Sequence, residues 1–320
     1  FILSLWDKEK ASLPYAKRNL SLQPKRATTK TMSKFINPFT DYGFKLIFGR
    51  EVSKDLLIEF LNDLLEGERV ITDLTFLNNE QLPDYPEGRG IIYDVYCTTD
   101  TGEKIIVEMQ NRMQSNFKER SIFYLSRAIV NQGRTGHDWK FEIKAVYGVF
   151  LMNFIMDKNI KLRTDVILAD KETGELFSEK FRQIFIALPL FKKSEEECET
   201  NFERWIYILN NMETLKRLPF KARKAVFEKL EEIADVASMS PKERELYDNS
   251  VKVYRDYLVT MDAAEQKGIK EGLEKGIEKG MKEGTQRAQL KIARNMKAKG
   301  IDNESIAECT DLPLSIIEGL

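Results

Sequence analysis

The sequence predicts an α/β protein of the α+β kind, with a mixed central sheet flanked by helices and an all-helical C-terminal half. From Glu51 onward, the periodicity of apolar residues follows the order helix, strand, strand, strand, helix, strand. After Asn201 the pattern is helical throughout. The chain has 320 residues, of which 42% are hydrophobic, so it is long and apolar enough to bury a substantial core.

The individual elements follow from local patterns. Apolar residues at helical spacing predict a helix over 51–66 that Gly67 ends. Thr99–Gly102 has the composition of a hairpin turn between two strands, and 83–90 has that of a loop. Predicted strands cover 70–77, 91–98, 103–110, 144–154, 165–169 and 183–188, and predicted helices cover 114–132, 202–212, 221–236 and 241–261.

Composition excludes several classes of function. The 50 basic and 51 acidic residues give a formal net charge of −1, so the chain as a whole lacks the basic field typical of nucleic-acid-binding proteins. His137 is the one histidine, which excludes centres with several histidine ligands, and its neighbours favour a loop position. Three widely spaced cysteines without a CxxC pair are typical of a cytoplasmic protein. No apolar run approaches the ~20 residues of a membrane span.

Two acidic residues lie on facing strands of the predicted hairpin. Because side chains alternate along a strand, Asp94 shares a face with Tyr96, and Glu108 shares a face with Gln110. A turn centred on Asp100–Thr101 makes Asp94 either the direct partner of Glu108 or its diagonal neighbour. In both registers the two Cβ atoms are ~5–8 Å apart.

This pair predicts a site for a hard divalent cation. Two carboxylates so close together repel each other unless a cation or a proton intervenes. Mg²⁺ typically binds one or two carboxylates, waters and a substrate phosphate, so the geometry fits metal-assisted phosphodiester hydrolysis. The alternative is a structural salt bridge to Asp94 or Glu108 from Arg112 or Arg120.

Several segments around these acids form a recognisable combination. They are Asn37-Pro38-Phe39-Thr40-Asp41-Tyr42-Gly43-Phe44-Lys45, then Ile92-Tyr93-Asp94-Val95, then Val107-Glu108-Met109-Gln110, then Arg120 and Tyr124. Over roughly residues 33–260 the chain resembles the bacterial PD-(D/E)XK nuclease family of recombination-promoting nucleases and transposases. The resemblance implies a restriction-endonuclease-like αβββαβ core, in agreement with the order of elements above.

The resemblance also implies roles for individual residues. Asp94 and Glu108 are the implied ligands of Mg²⁺, with Mn²⁺ as a substitute, and the carbonyl of Met109 is a third oxygen ligand. Gln110 occupies the position of the superfamily's lysine, where an amide orients a water but cannot supply charge. Asp41 is a candidate additional acid from the first helix, and Glu51 and Glu59 are alternatives for that role.

Basic and aromatic residues near the acids predict contacts with double-stranded DNA. Arg120, Tyr124 and Arg127 follow one another at helical spacing in the helix over 114–132. We interpret this stripe, together with Lys45, as a surface that contacts phosphates without reading sequence. The alternative is a solvated helix face with extended arginines.

Domain organisation follows from these patterns. Residues 1–32 are predicted to be a disordered N-terminal extension, because 1–33 holds seven basic and two acidic residues without apolar periodicity. The nuclease-like domain is expected over 33–200. The remaining predicted parts are a helical region over 201–262, a helix or linker of repeated glycines and charges over 263–299, and a cap resembling a helix–turn–helix over 300–320.

The tail carries a four-residue repeat. Gly268, Gly272, Gly276, Gly280 and Gly284 recur at this spacing. Small residues in such a row allow two helices to approach closely, which suggests a homodimer through Gly268–Gly284. The alternative is a charged linker, because each interior glycine costs a helix ~1 kcal/mol relative to alanine.

Three functions compete at this stage. The leading hypothesis is a nucleoid-associated, metal-dependent DNA endonuclease that promotes recombination or transposition. The second is a DNA-binding protein of the same fold that has lost cleavage, because Gln110 replaces a lysine. The third is a ribonuclease-H-like transposase with three carboxylates, Asp94, Asp165 and a later glutamate.

Overall fold

The structure is a computed structural model and describes residues 33–82, 90–134, 136, 139–220 and 225–320. The predicted N-terminal extension, most of the loop at 83–90 and His137 lie outside the described residues. The chain divides into two compact units between Tyr247 and Asp248. The first contains the sheet and the second is helical, which confirms the predicted fold class.

The first unit is built on a mixed six-stranded sheet in the order β1-β4-β5-β6-β8-β7. Its strands are β1 (Leu74–Phe76), β4 (Val95–Thr99), β5 (Lys104–Gln110), β6 (Val146–Met152), β7 (Arg163–Ala169) and β8 (Leu176–Ala187). The pairs β5–β6 and β6–β8 are parallel, and the other three are antiparallel. Two short strands, β2 (Glu80–Gln81) and β3 (Ile91–Ile92), form a separate ribbon.

Helices cover the sheet and complete the first unit. They are α1 (Asp41–Phe48), α2 (Lys54–Leu64), α3 (Phe117–Val130), α4 (Asn201–Asn211), α5 (Val226–Ala234) and the beginning of α6 (Pro241–Ala298). The side chain of Thr200 caps α4 in a capping box with Glu203, which explains why the helical half begins at this point.

The predicted strand over 91–98 is wrong as a continuous element. The chain leaves the β2–β3 ribbon after Ile92 and enters the main sheet only at Val95. Asn79 causes the break by three contacts: its carbonyl accepts from the amide of Tyr93 at 3.0 Å, its side-chain amide donates to the carbonyl of Asp94 at 3.0 Å, and its Oδ1 accepts from the amide of Tyr96 at 3.2 Å. The strand therefore changes sheets at the residues around Asp94.

Other element boundaries also differ from prediction. The first predicted strand, over 70–77, is shorter in the structure and covers only Leu74–Phe76. The last, over 183–188, begins earlier, at Leu176, because its outer half pairs with β7 in an exposed hairpin that has no buried face to reveal it in the sequence. The helix predicted to end at 261 continues to Ala298.

The packing of α3 on the sheet depends on a glycine. The core between them contains Tyr96, Ile106, Phe117, Leu125 and Phe150, all 5% exposed or less. A Cβ on Gly148 of β6 would lie 2.5 Å from Leu125 Cδ1 and 2.7 Å from the ring of Phe150. Glycine at this position therefore sets how closely α3 approaches the strand that pairs with β5.

An aromatic cluster joins the helices of the first unit. The rings of Phe48, Phe60 and Trp205 lie 5.1–5.9 Å apart between centroids, and Phe227 lies 5.1 Å from Trp205. Trp205 is fully buried and donates its indole N–H to Asp63 at 2.9 Å. This cluster fixes α1, α2, α4 and α5 to one another.

The second unit contains the rest of α6, α7 (Asn303–Thr310) and α8 (Leu314–Glu318). The helix α6 has 58 residues and runs through all five glycines of the repeat, at each of which an added Cβ would meet nothing within 4 Å. The end of α6 packs on α7 and α8 through a small core of Ala293, Ile306, Leu312 and Ile317. Among the described helices, none has the length and apolarity needed to cross a membrane.

Gly148→Ala should destabilise the first unit by ~1–3 kcal/mol, because the added methyl group overlaps Leu125 and Phe150. Denaturant unfolding at equilibrium measures this. In a Leu125→Ala background the same substitution should cost less, because the clashing side chain is gone. Equal costs in both backgrounds would contradict the packing described above.

Candidate active site

Asp94 and Glu108 lie opposite each other at one end of the β4–β5 hairpin. The ladder pairs Val95 with Val107 and Tyr96 with Ile106. Extending this register by one residue places Asp94, just before β4, opposite Glu108. Of the two registers that the sequence allowed, the structure therefore has the one with direct pairing.

Each carboxylate accepts a hydrogen bond from the backbone beside the other. The amide of Asp94 donates to Glu108 Oε1 at 3.1 Å, and the amide of Met109 donates to Asp94 Oδ2 at 2.9 Å. This reciprocal arrangement replaces ordinary ladder bonding at the end of the hairpin. It fixes both side chains relative to the backbone, which is what a site of defined geometry requires.

The two acids lie in a poorly hydrated position. Glu108 is 3% exposed, and burial together with the charge of Asp94 raises its pKa well above the usual range. Burial also raises the pKa of Asp94 to about 6, although the hydrogen bond from Met109 and the charges of Lys45 and Arg120 act in the opposite direction. The pair therefore carries unfavourable negative charge near neutral pH.

Gln110 connects Glu108 to α3. Its side-chain amide donates to Glu108 Oε2 at 2.8 Å, and its Oε1 accepts from the guanidinium of Arg120. Arg120 also donates to Gln114 Oε1 at 2.8 Å, and its guanidinium carbon lies 5.5 Å from the centroid of the Tyr124 ring. Arg120 thus supports the site through Gln110, and the structure does not contain the salt bridge from Arg120 to either acid that the sequence allowed.

The helix α1 contributes charges to the same region. Lys45 and Asp41 form an ion pair of 2.7 Å, and both are close enough to Asp94 to influence its pKa, in opposite directions. The loop before α1 is tied to the end of β5, because Asn111 Nδ2 donates to the carbonyl of Phe39 at 2.6 Å. Within the described ranges, no group of three Asp, Glu, His or Cys residues could hold a metal ion. The role of Asp41 as an additional acid stays a prediction.

Not every predicted site residue reaches the acids. Arg127 donates a hydrogen bond to the carbonyl of Leu82 at 2.7 Å and thus ties Leu82 to α3. Tyr124 supports Tyr93, whose hydroxyl donates to the carbonyl of Tyr124 at 3.0 Å and whose ring lies 5.4 Å from the Tyr124 ring. Through these contacts, Arg127 and Tyr124 support residues near the two acids.

Asp165, the second acid of the three-carboxylate hypothesis, lies elsewhere. It is on β7, the edge strand four positions away from β4, so about 19 Å of sheet separates them. There it accepts hydrogen bonds from Arg163 at 2.8 Å and from Arg182 at 2.7 Å. The structure therefore provides no three-carboxylate site from Asp94 and Asp165.

Sequence reasoning missed Asn79 and Asn111. Asn79 turns the chain at Asp94, and Asn111 ties the end of β5 to the loop before α1. Both act through single side-chain amides on backbone groups distant in sequence. No spacing or periodicity signals such contacts, so a single sequence offered no means of finding them.

The donor set fits a hard divalent cation. It consists of the buried carboxylate of Glu108 and the partly buried carboxylate of Asp94, and no salt bridge neutralises either of them in the part of the chain that the structure describes. Carboxylate oxygens are the ligands that Mg²⁺ prefers, and a cation between them would offset both their burial and their mutual repulsion.

Comparison with known proteins places this site in a family context. A family model described as PD-(D/E)XK nuclease family transposase matches residues 38–264. The matched segment contains Asp94, Glu108 and Gln110 and ends before the glycine repeat. No curated protein and no solved structure matches the chain. The resemblance drawn from the sequence motifs is confirmed by the match.

Asp94→Asn should stabilise the protein at pH 7.5 by on the order of 3 kcal/mol when divalent cations are removed with a chelator. The folded-state pKa of Asp94 is about 6, above its ordinary value of 3.8, so the native state binds this proton more tightly. Wild-type stability should therefore fall as pH rises from about 4 to about 6, and the advantage of the variant should vanish near pH 4. Urea unfolding across this range measures it.

Asp165→Asn is the matched control with the opposite sign. Although burial opposes it, hydrogen bonds from Arg163 and Arg182 lower the pKa of Asp165. The Asp165→Asn variant should therefore be less stable than the wild type at pH 7.5. This difference should shrink as the pH falls below 3.8, the ordinary pKa of an aspartate. A stabilising effect of both substitutions, or of neither, would contradict the electrostatic description of the site.

Proposed function

Because the chain belongs to the PD-(D/E)XK nuclease family of transposases, we propose that it is a metal-dependent DNA endonuclease that promotes recombination or transposition. The observation that carries the proposal is the pair formed by buried Glu108 and partly buried Asp94, held face to face by reciprocal backbone hydrogen bonds. A bound Mg²⁺ or Mn²⁺ would lower the pKa of a coordinated water and neutralise charge on the phosphodiester.

The residues of the site have distinct roles in this proposal. Asp94 and Glu108 hold the cation, together with the carbonyl of Met109. Gln110 uses one hydrogen of its amide on Glu108, which leaves a second for orienting a water molecule. The guanidinium of Arg120 donates a hydrogen bond to Gln110 Oε1, and this bond fixes the orientation of the Gln110 amide.

Double-stranded DNA is the proposed substrate, which makes association with the nucleoid the expected location. Lys45 and Arg120 lie close enough to Asp94 for their positive charges to lower its pKa. Cations in these positions would contact the phosphates that flank the cleaved bond. Arg127 and Tyr124, both partly buried on α3, would contribute beside the site.

A second candidate function is DNA binding without cleavage. It is favoured by Gln110, which supplies hydrogen bonds but no positive charge in the position next to Glu108. The same DNA-contacting surface would then serve binding alone. The two candidates differ in whether added Mg²⁺ produces cleaved product.

Asp94→Ala and Glu108→Ala should each abolish Mg²⁺-dependent nicking of supercoiled plasmid, because either change removes half of the carboxylate ligands. Gel electrophoresis of plasmid after timed incubation measures nicking. Circular dichroism should show the same secondary structure in both variants as in the wild type.

Asp165→Asn should retain nicking, since Asp165 is at the other edge of the sheet. Wild-type rates in both alanine variants would refute the assigned site. Loss of nicking in Asp165→Asn with an intact fold would instead favour the three-carboxylate hypothesis. Plasmid binding by a wild-type protein that never nicks would select the second candidate function.

We further propose a homodimer through Gly268–Gly284, which would allow two sites to cut both strands. The apolar residues beside the glycines are exposed in the single chain, with Ile269 at 63% and Leu273 at 62%. Their exposure and the open space over each glycine support pairing with a second copy of the helix.

Replacing Gly276 and Gly280 together with leucine should convert the dimer to a monomer, because the larger side chains prevent close approach while favouring the helix. Sedimentation equilibrium measures the mass. Glu274→Leu with Glu278→Leu is the matched control on another side of the helix and should remain dimeric. A monomeric wild-type protein would end this proposal.

A further inference from the structure

A cavity lies at the opposite end of β5 from the acids. Its volume is about 910 Å³, and its wall combines basic and aromatic side chains. We call it the basic pocket and define it by the residues Lys104, Arg134, Trp139, Phe141, Lys144 and Lys180. Asn131 and Gln132, which directly follow α3, border it.

The charge of the basic pocket is unbalanced. Lys104, Arg134, Lys144 and Lys180 face one acidic residue, Glu142. None of the four cations forms an ion pair with another residue in the ranges that the structure describes. Elsewhere in this unit cations commonly pair with acids, as Arg163 and Arg182 do with Glu68. Unpaired cations gathered around a cavity favour an anionic ligand.

The aromatic residues of the basic pocket are also available for contact. The rings of Trp139 and Phe141 lie 4.5 Å apart between centroids and are tilted by 36°. Phe141 is 76% exposed, and its backbone has a φ of 57°, in the left-handed region that bulky residues rarely adopt. An exposed aromatic ring among unpaired cations has the composition of a surface on which a nucleobase stacks beside its phosphate.

The position of the basic pocket relates it to the active site. Lys104 and Glu108 point to the same face of β5, because they are four residues apart in a strand. Four residues of strand span ~13 Å, which corresponds to about four base steps of a DNA strand at 3.4 Å each. Ile106, which lies between them on this face, is fully buried against α3, so a DNA strand whose phosphate lies at the acids would pass around this helix to reach the cavity.

We propose that the basic pocket binds an unpaired base of the DNA strand together with its neighbouring phosphates, so that the protein prefers DNA with a single-stranded segment. This inference rests on the proposed function for the identity of the ligand as DNA. The stacking surface is Trp139 and Phe141, and Lys104, Lys144 and Lys180 contact the phosphates.

Fluorescence anisotropy of the full chain in chelator tests the inference without cleavage. The probes are a labelled 20-nucleotide single strand and the same sequence as a blunt duplex. Phe141→Asn combined with Trp139→Ala should weaken binding of the single strand roughly tenfold, since one stacked base is lost, and should change duplex binding less than about twofold. Asparagine is chosen at position 141 because it tolerates positive φ.

Charge variants provide a second readout. Lys104→Gln with Lys180→Gln should reduce the slope of log Kd against log salt for the single strand by about 1.4, the value for two released counterions. Phe177→Ala and Lys171→Gln, an exposed aromatic and an exposed cation that do not line the pocket, are matched controls and should bind as the wild type does. Thermal melting verifies that each variant folds. If the variant with both aromatic substitutions does not fold, the test uses Phe141→Asn alone.

Two results would overturn the inference. Pocket variants that bind the single strand like the wild type would show that the cavity does not contact DNA. Equal losses for the single strand and the duplex would show that no base is held there. Because no metal is present, these results are separate from the nicking assay: loss of the proposed nuclease activity would leave the binding preference intact, and the reverse also holds.

Discussion

The burial of two like charges side by side is the constraint on which the rest of the site depends. Glu108 is nearly removed from water and Asp94 is partly buried, and their proximity raises the free energy of the state in which both are ionised. The fold tolerates this because each carboxylate accepts a backbone hydrogen bond: Glu108 accepts one from the amide of Asp94, and Asp94 accepts one from the amide of Met109. Most surrounding features can be understood as ways of holding those amides in position.

The break in the strand before Val95 is one such feature. A continuous strand would commit the amide of Asp94 to a neighbouring strand, whereas the turn imposed by Asn79 directs it to Glu108. Gly148 is another, because it lets α3 lie close enough to the sheet for Arg120 to reach Gln110. The catalytic geometry is therefore a product of backbone path and helix packing together.

The sequence predicted the elements with strong periodicity and the pairing of the two acids. The hairpin could be predicted because a short turn restricts the register to two values, and both bring Asp94 close to Glu108; the structure has the direct pairing. The change of sheet at Tyr93–Asp94 could not be read, since it depends on one asparagine side chain fourteen to fifteen residues earlier in the chain. The destinations of Arg127 and Asp165 were equally hidden, because a helical or strand pattern gives the face of a residue but not the partner that it meets.

The four-residue period of the glycines restricts the geometry of any helix that lies along them. An α-helix turns about 100° per residue, so each four-residue step advances about 40° beyond a full turn. The row therefore winds around α6 and faces a straight neighbour over only two or three glycines. A period longer than 3.6 residues selects a right-handed crossing, so two such helices would meet at a short, oblique contact and diverge on both sides of it.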